Sequence, residues 1–348
     1  MPTPRPRPER SFSVSWCRTP GTSHANFAVG STRSPATRRG TRSVTGVRIA
    51  YFGPSGTFTE MALGKLEADG AFGETVERVS ASSPPATLEL VRSGQADGAV
   101  VPIENSVQGS VPPTLDALAI GDRLQILAET ELDVAFTIVA RPGTAMADVR
   151  TIRAYPHAAA QVQQWIAATM PNAQVEFASS NAGAAEDVAA GLADAAVSTG
   201  LAGRRHGLDV LADGVADVEN ARTRFVYVTR PCPPPAPTGA DRTAVVLTPA
   251  NRPGTLVSAL AEFSTRDIDL TFIESRPLRT HLGTYRFYID CVGHIDDVAV
   301  ADALRVLHSR TDVRFLGSWP SAHVAAGGPR PTDDRGRDWL DALRRGDR

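Results

Sequence analysis

Val47-Arg-Ile-Ala-Tyr-Phe-Gly-Pro-Ser-Gly-Thr57 is a short apolar run that ends in a turn built from glycine and proline. Val47–Phe52 reads as a buried strand, Gly53–Thr57 as a turn, and the residues after it, through Ala68, as a helix. Strand, tight turn and helix in that order open an α/β unit. The alternation continues with a strand near Val76–Val79, a helix across Ala86–Arg92 and a strand at Gly98–Val101. A second set runs from about Leu124 to Leu211, with strands at Leu132–Val139, Thr151–Ala154, Val175–Phe177 and Ala195–Val197 and helices at Ala158–Thr169 and Ala182–Ala190. The chain returns through a strand at Arg224–Thr229. Two βα lobes with strands crossing between them predict a hinged body with a cleft, and ligands of such sheets favour the crevice at strand ends.

Pro231-Cys-Pro-Pro-Pro-Ala-Pro237 follows, a stiff spacer over 231–240 that marks a domain boundary. Beyond it, 241–320 reads as strand Thr243–Leu247, helix Pro253–Phe263, strands Ile268–Arg276 and Thr284–Cys291 joined at Leu282-Gly283, helix Val298–His308 and strand Val313–Ser318. That βαββαβ order predicts a ferredoxin-like sandwich. Residues 321–348 are a polar tail with one short helix expected at Arg337–Arg344. The body before the spacer spans 47–230, its second lobe roughly 122–215.

Working outward from these units, the 348 residues are 42% hydrophobic and 21% charged, the range of ordinary globular chains. No apolar run reaches the 18 or so residues of a membrane span. A net charge of −2 gives no general attraction to nucleic acid or anionic lipid. Three cysteines (Cys17, Cys232 and Cys291) form no metal-binding pair and no disulfide framework, which fits a reduced cytoplasm with no structural metal. Residues 1–46 differ from the rest. They carry eight arginines against Glu9, a net of +7, so the remainder holds −2 less +7, or −9. Rich in Arg, Pro and Ser and without apolar periodicity, this leader is expected to be disordered, and it lacks a secretory core.

Three clusters carry chemistry. The Gly53–Thr57 turn suits an anion, because its glycines let backbone approach closely, the following helix start presents N–H groups and Thr57 adds a hydroxyl. Val101-Pro-Ile-Glu-Asn-Ser106 is a strand end expected to deliver Glu104, Asn105 and Ser106 into a loop. In Asn220-Ala-Arg-Thr-Arg-Phe225, strand alternation puts Arg222 and Arg224 on one face and Thr223 with Phe225 on the other. Charged pairs at a core edge are also common as solvated rims or ion-pair partners, so both readings of the arginines stand.

Taken in order, Gly53-Pro-Ser-Gly-Thr-Phe58, Pro102-Ile-Glu-Asn-Ser106, Thr223-Arg-Phe225 and Glu274-Ser-Arg-Pro277 make residues 47–229 resemble the prephenate dehydratase family and 241–319 resemble the ACT regulatory domain that follows it there. The resemblance implies an α/β fold: a two-lobed, periplasmic-binding-protein-like catalytic domain, then a ferredoxin-like ACT domain. It implies conversion of prephenate to phenylpyruvate, water and carbon dioxide in phenylalanine synthesis, without a cofactor. Thr223 is implied as the main catalytic residue, a hydrogen-bond donor to the departing hydroxyl, with Glu104, Asn105 and Gln161 as further catalytic positions. Thr57, Ser106, Arg224, Phe225 and Asn181 are implied around the substrate, Arg224 and the Gly53–Thr57 turn gripping a carboxylate. Asn251, Gly254, Leu256, Glu274, Ser275, Arg276 and Pro277 are implied in an inter-subunit phenylalanine site, which requires a homodimer or homotetramer. Departures are Tyr155 at a usual histidine, Asn181 in a usual Ser-Thr pair and Thr255 at a usual alanine, while His157 reads as a helix-start surface residue. A two-lobed binding protein without catalysis and an enzyme acting on arogenate stand as the other readings.

Overall fold

The computed structural model describes residues 46–321 other than 74, 219–220 and 279–282, so the expected leader, the helix at Arg337–Arg344 and Leu282 lie outside the described residues. The first lobe contains β1 (Val47–Phe52), α1 (Phe58–Ala68), β2 (Val76–Ala81), α2 (Pro84–Arg92), β3 (Gly98–Asn105), β4 (Gly109–Ser110), α3 (Pro112–Ala119) and β5 (Gln125–Asp133). The second contains β6 (Thr137–Ala140), β7 (Thr151–Ala154), α4 (Pro156–Gln161), α5 (Gln163–Thr169), β8 (Gln174–Phe177), α6 (Asn181–Ala189), β9 (Ala195–Ser198), α7 (Gly200–Arg205) and β10 (Asp209–Asp213). β11 (Arg222–Thr229) then re-enters the first lobe, and its sheet runs β2-β1-β3-β11-β5 beside a second sheet ordered β10-β6-β9-β7-β8. In both, three adjacent strands pair in parallel and the next two pairings are antiparallel, and in the first sheet β4 adds a short antiparallel partner to β3.

Two expectations shift. The run expected as one strand over Leu132–Val139 is the end of β5 and the start of β6, so β5 belongs to the first sheet and the second lobe begins after it. The two crossings pair where they pass, Val134 N donating to Ala221 O at 2.7 Å. The helix expected over Ala158–Thr169 is broken at Val162 into α4 and α5. α3 is an addition. Its two leading prolines, Pro112 and Pro113, occupy first-turn positions where a missing N–H costs nothing.

The C-terminal part is β12 (Asp241–Thr248), α8 (Thr255–Ser264), β13 (Leu270–Pro277), β14 (Tyr285–Val292), α9 (Val298–Arg310) and β15 (Asp312–Pro320), an antiparallel sheet ordered β13-β14-β12-β15. Period-2 alternation divides its residues between two cores. Val245, Leu247, Ile289 and Cys291 pack under α8 and α9 with Phe263 and Leu307. Ala244, Val246, Tyr288, Leu316 and Trp319 face the other way and join Leu115, Ile126, Val226 and Val228 of the first lobe in one continuous core. The proline-rich spacer therefore joins two units that share an interior. Gly317, at φ 146°, brings its α-carbon so close to Ile126 that an added Cβ would lie 2.3 Å from that residue's carbonyl oxygen.

Candidate active site

β3 and β11 are neighbours, and their register sets Thr223 opposite Asn105 and Arg224 opposite Glu104. β3 runs on through Pro102 to Asn105, so Glu104 and Asn105 sit on a strand rather than in the expected loop, and alternation sends their side chains to opposite faces. On one face, Asn105 Nδ2 donates to Thr223 Oγ1 at 2.8 Å. Asn105 Oδ1 accepts the backbone N–H groups of Val107 and Gln108 at 2.9 and 3.0 Å. Two backbone donors on the oxygen leave the nitrogen end to face Thr223, so the hairpin beyond β3 fixes the amide's orientation. The threonine oxygen is thereby used as an acceptor and its own proton is directed elsewhere. Thr223 keeps 9% of its surface exposed, where β11 enters from the lobe crossing. Ser106 extends the pairing, its hydroxyl accepting Arg222 N–H at 2.8 Å.

The opposite face reads differently from expectation. Arg224 is 4% exposed and its guanidinium meets the protein's own carboxylates: Glu104 Oε2 at 3.1 Å from Nε, Glu129 Oε2 at 3.3 Å and Asp290 Oδ2 at 2.8 Å from Nη1. Arg242 Nη1 donates to the same Asp290 oxygen at 3.2 Å, and its Nε lies 3.5 Å from Glu129. Burial pulls the Arg224 pKa down, and the charges of Asp290, Glu129 and Glu104 outweigh it, holding the group above the usual arginine range. Burial likewise raises Glu129, and Arg242 and Arg224 bring it below the usual carboxylate range. Arg224 does hold carboxylates, but they belong to this chain, so its expected place as a substrate ligand is corrected. Glu104 lies on that face too, away from Thr223, so the two do not act on one group directly. Phe225, 1% exposed, is core between Tyr51, Leu63 and Tyr227. It anchors β11 and has no surface to offer a substrate.

The Gly53–Thr57 turn is an anion cradle that is already filled. Gly56 N–H donates to Glu60 Oε2 at 2.7 Å and the Ser55 hydroxyl to the same oxygen at 3.3 Å. Thr57 caps α1, accepting Glu60 N–H at 3.4 Å and donating to Phe52 O at 3.2 Å, so its hydroxyl is consumed locally. Thr57-Phe-Thr-Glu60 has the spacing of a capping box, and that signal identifies the glutamate as the occupant. From the second lobe, Arg205 on α7 grips Glu60 at 2.7 and 2.8 Å, and Arg78 adds 3.3 Å. Burial raises the Glu60 pKa; Arg205, the Gly56 N–H and Arg78 together outweigh it and bring it to about 2. Close by, Thr199 donates to Gly56 O at 2.6 Å, and a Cβ on Gly56 would sit 3.0 Å from the Ala202 and 3.4 Å from the Ala182 side chain. The starts of α1, α6 and α7 thus converge where the lobes touch.

Gln161 and Asn181 come from the second lobe. Gln161 Nε2 donates to His157 O at 3.3 Å, which turns Oε1 outward as a buried acceptor, and Asn181 Oδ1 is also buried; neither oxygen has a partner among the described residues. No group of three or more acidic, histidine or cysteine side chains that could hold a metal occurs among the described residues.

In the C-terminal domain, Asn251, Gly254 and Leu256 line a cavity of about 180 Å³ with Arg252, Tyr285 and Phe287. Gly254, at φ 82°, turns the chain into α8. The register of β13 against β14 places Ser275 and Pro277 opposite Phe287 and Tyr285, and Glu274 and Arg276 opposite Tyr288 and Arg286. Arg276 accordingly faces the first lobe, where Asp116 on α3 takes it at 2.8 and 3.1 Å. Within this chain that contact turns Arg276 away from the cavity, and Glu274 shares its face.

With this geometry in view, comparison with known proteins adds a direct finding. The family model for prephenate dehydratase matches residues 49–233, and that for the ACT domain matches 243–309. The chain belongs to the prephenate dehydratase family. A prephenate dehydratase of Mycobacterium tuberculosis is 61% identical over 305 residues, covering 86% of this chain and 95% of that protein. The crystal structure of an Arthrobacter aurescens prephenate dehydratase in complex with L-Phe superposes with a TM-score of 0.76 at 39% identity, over 86% of this chain and 100% of that one. A structure described as a novel type of quorum-quenching acylase reaches a TM-score of 0.70 at 29% identity, over 79% of this chain and 98% of that one.

Proposed function

We propose that this chain converts prephenate to phenylpyruvate, carbon dioxide and water, a step of L-phenylalanine biosynthesis, and that L-phenylalanine inhibits it through the C-terminal domain. Family membership and 61% identity to a prephenate dehydratase support the activity. The L-Phe complex of the Arthrobacter protein supports the effector. Folds of this kind host more than one chemistry, so the site has to carry the argument. The observation that carries it is the Asn105–Thr223 pair: a hydroxyl that accepts from an oriented amide and still has its own proton to donate.

Loss of the ring carboxylate and the 4-hydroxyl makes prephenate aromatic, so the driving force is intrinsic and the barrier lies in expelling hydroxide. The C–C bond to the carboxylate breaks, its electrons enter the ring, the C–O bond breaks, and the departing oxygen collects one proton from solvent to leave as water. Thr223 is far too weak an acid to surrender its own proton. It donates a hydrogen bond that strengthens as charge builds on the oxygen, a preference for the transition state over the ground state. Gln161 and Asn181, each burying a side-chain oxygen with no partner among the described residues, offer acceptors to the substrate hydroxyl. With Arg224 and the Gly56 turn already engaged, the pyruvyl carboxylate takes its donors from the start of α6 and the lobe junction. The ring carboxylate sits in less polar surroundings, because holding its charge would oppose decarboxylation. No cofactor enters these steps. Cytoplasmic location and a homodimer or homotetramer complete the reading. The exposed edge strand β13, with Ile273 half-exposed, supports pairing of C-terminal sheets.

Phenylpyruvate absorbance on the purified chain is the test. Thr223→Ala is expected to lower kcat by about 10²–10³-fold with KM within about threefold, the range for losing one hydrogen-bond donor to developing charge. A large KM rise at normal kcat would make Thr223 a binding residue, and absence of turnover in the unaltered chain would overturn the reading.

A further inference from the structure

Arg224 and Thr223 are consecutive residues on β11 that point to opposite faces, one into a dry junction and the other to the side of Asn105. In the junction, two arginines meet two carboxylates, all 4–8% exposed, with Glu104 at the rim. Their origins divide the set evenly: Arg224 and Glu129 from β11 and β5, Arg242 and Asp290 from β12 and β14. Asp290 accepts from both arginines, so it is the link across the junction. β14 also carries Tyr285 and Phe287, which line the 180 Å³ cavity from the strand's other face. Phe287 and Asp290 are three residues apart, about 10 Å along a strand. The far end of β12 leads into Ala250 and Asn251 at the cavity, while its start supplies Arg242.

We infer that Asp290 of the C-terminal domain is a positioning residue for Thr223, and that the buried Arg224–Asp290 pair carries occupancy of the C-terminal cavity to the catalytic strand. The inference rests on the reading of that cavity as the phenylalanine site and adds the element through which it acts. A close-packed junction has few soft degrees of freedom, so a displacement of β14 that seats a ligand against Phe287 is passed on to whatever β14 holds. Asp290 holds Arg224, and Arg224 shares a peptide bond with Thr223. The Arg224–Asp290 contact, at 2.8 Å the shortest in the quartet, lies in a dry site where losing it would cost each charge a buried partner. The pair therefore moves as a unit.

The test uses the full chain, with L-phenylalanine as probe, and measures phenylpyruvate formation beside phenylalanine binding by calorimetry. Asp290→Asn is expected to bind phenylalanine within about threefold of the unaltered chain yet keep at least about half of its own rate at saturating phenylalanine. Its uninhibited kcat is expected to fall several-fold with KM within twofold, a split that general destabilisation would not produce. Asp290→Glu, which restores the charge, is expected to recover part of the inhibition, and it decides the matter if the asparagine variant does not fold. Inhibition of both variants as complete as in the unaltered chain, at equal phenylalanine affinity, overturns the inference. So does an unaltered chain that turns over prephenate but does not respond to phenylalanine. An unaltered chain without turnover overturns instead the proposed function, which keeps the two failures distinct.

Discussion

The junction between the two lobes and the junction between the catalytic and C-terminal domains are both bridged by an arginine–carboxylate contact, but they are built for different purposes. At the lobe junction, small residues touch: Gly56 against Ala182 and Ala202, with one hydroxyl on one carbonyl and the Glu60–Arg205 grip, Arg205 being 37% exposed. Phe58 of α1 adds an apolar contact there, meeting Phe136 edge-on at 5.7 Å and packing on the core of the second lobe. At the domain junction, Trp319, Tyr288, Leu316 and Val246 interdigitate with Ile126, Val226 and Leu115 around an ion quartet that is almost wholly dry. Separating those surfaces would expose a large apolar area and split the quartet into an Arg224–Glu129 and an Arg242–Asp290 pair. The lobe junction thus holds a partly exposed ion pair, and the domain junction a dry one set in a shared core.

The sharpest way to break the contrast is Trp319→Ala. Removing a wholly buried aromatic from the shared core is expected to cost about 3–5 kcal/mol and to lower the stability of both domains in one cooperative calorimetric transition. Two separate transitions, with only the later one displaced, would show that the interior is not shared. Glu60→Gln at the softer junction is expected to cost less, about 1–2 kcal/mol after allowance for the half-exposed Arg205. It is also expected to enlarge the solution radius of gyration in X-ray scattering and raise KM for prephenate by several-fold. An unchanged radius and KM would mean that the Glu60 grip is not what holds the lobes together. The smallest effect is the acid dependence. A carboxyl held at about 2 against an ordinary value of 4.5 is ionised more readily in the folded chain. Its stabilisation is complete above about pH 4.5 and is lost as pH falls toward 2. A urea-midpoint series over that window should therefore slope less in Glu60→Gln than in the unaltered chain, and equal slopes would remove Glu60 as the source.

These assignments show what a sequence can and cannot reveal. Alternation in Arg222-Thr-Arg-Phe225 is enough to separate Thr223 from Arg224, and the structure keeps them on opposite faces. The identity of each face is another matter. The partners of Arg224, Glu129 and Asp290, lie 95 and 66 residues away on other strands, and no local pattern announces them. Phe225 follows the same logic, since the face it shares with Thr223 is open at the strand's start and core two residues later. At the Gly53 turn the affinity for an anion is legible from glycine and helix start, whereas its occupant is legible only through the capping-box spacing of Thr57 and Glu60. The ends of elements were set by tertiary context: β3 continues past Pro102 because β11 and β4 pair with it, and β5 stops at the lobe crossing rather than where apolar character ends. In β13, alternation predicts that Glu274-Ser-Arg-Pro277 cannot serve one ligand with all four side chains, and Asp116 supplies the reason why Arg276 looks away.

One consequence of the common interior concerns how this chain can be cut and recombined. The spacer over 231–240 looks like a natural place to divide the protein, yet dividing it there would strip the cover from Ile126, Val226 and Val228 and take Asp290 from Arg224 and Arg242 from Glu129. Neither half is portable. A chimera that borrows the regulatory sheet for another enzyme would have to bring the face of β5 and β11 along with it.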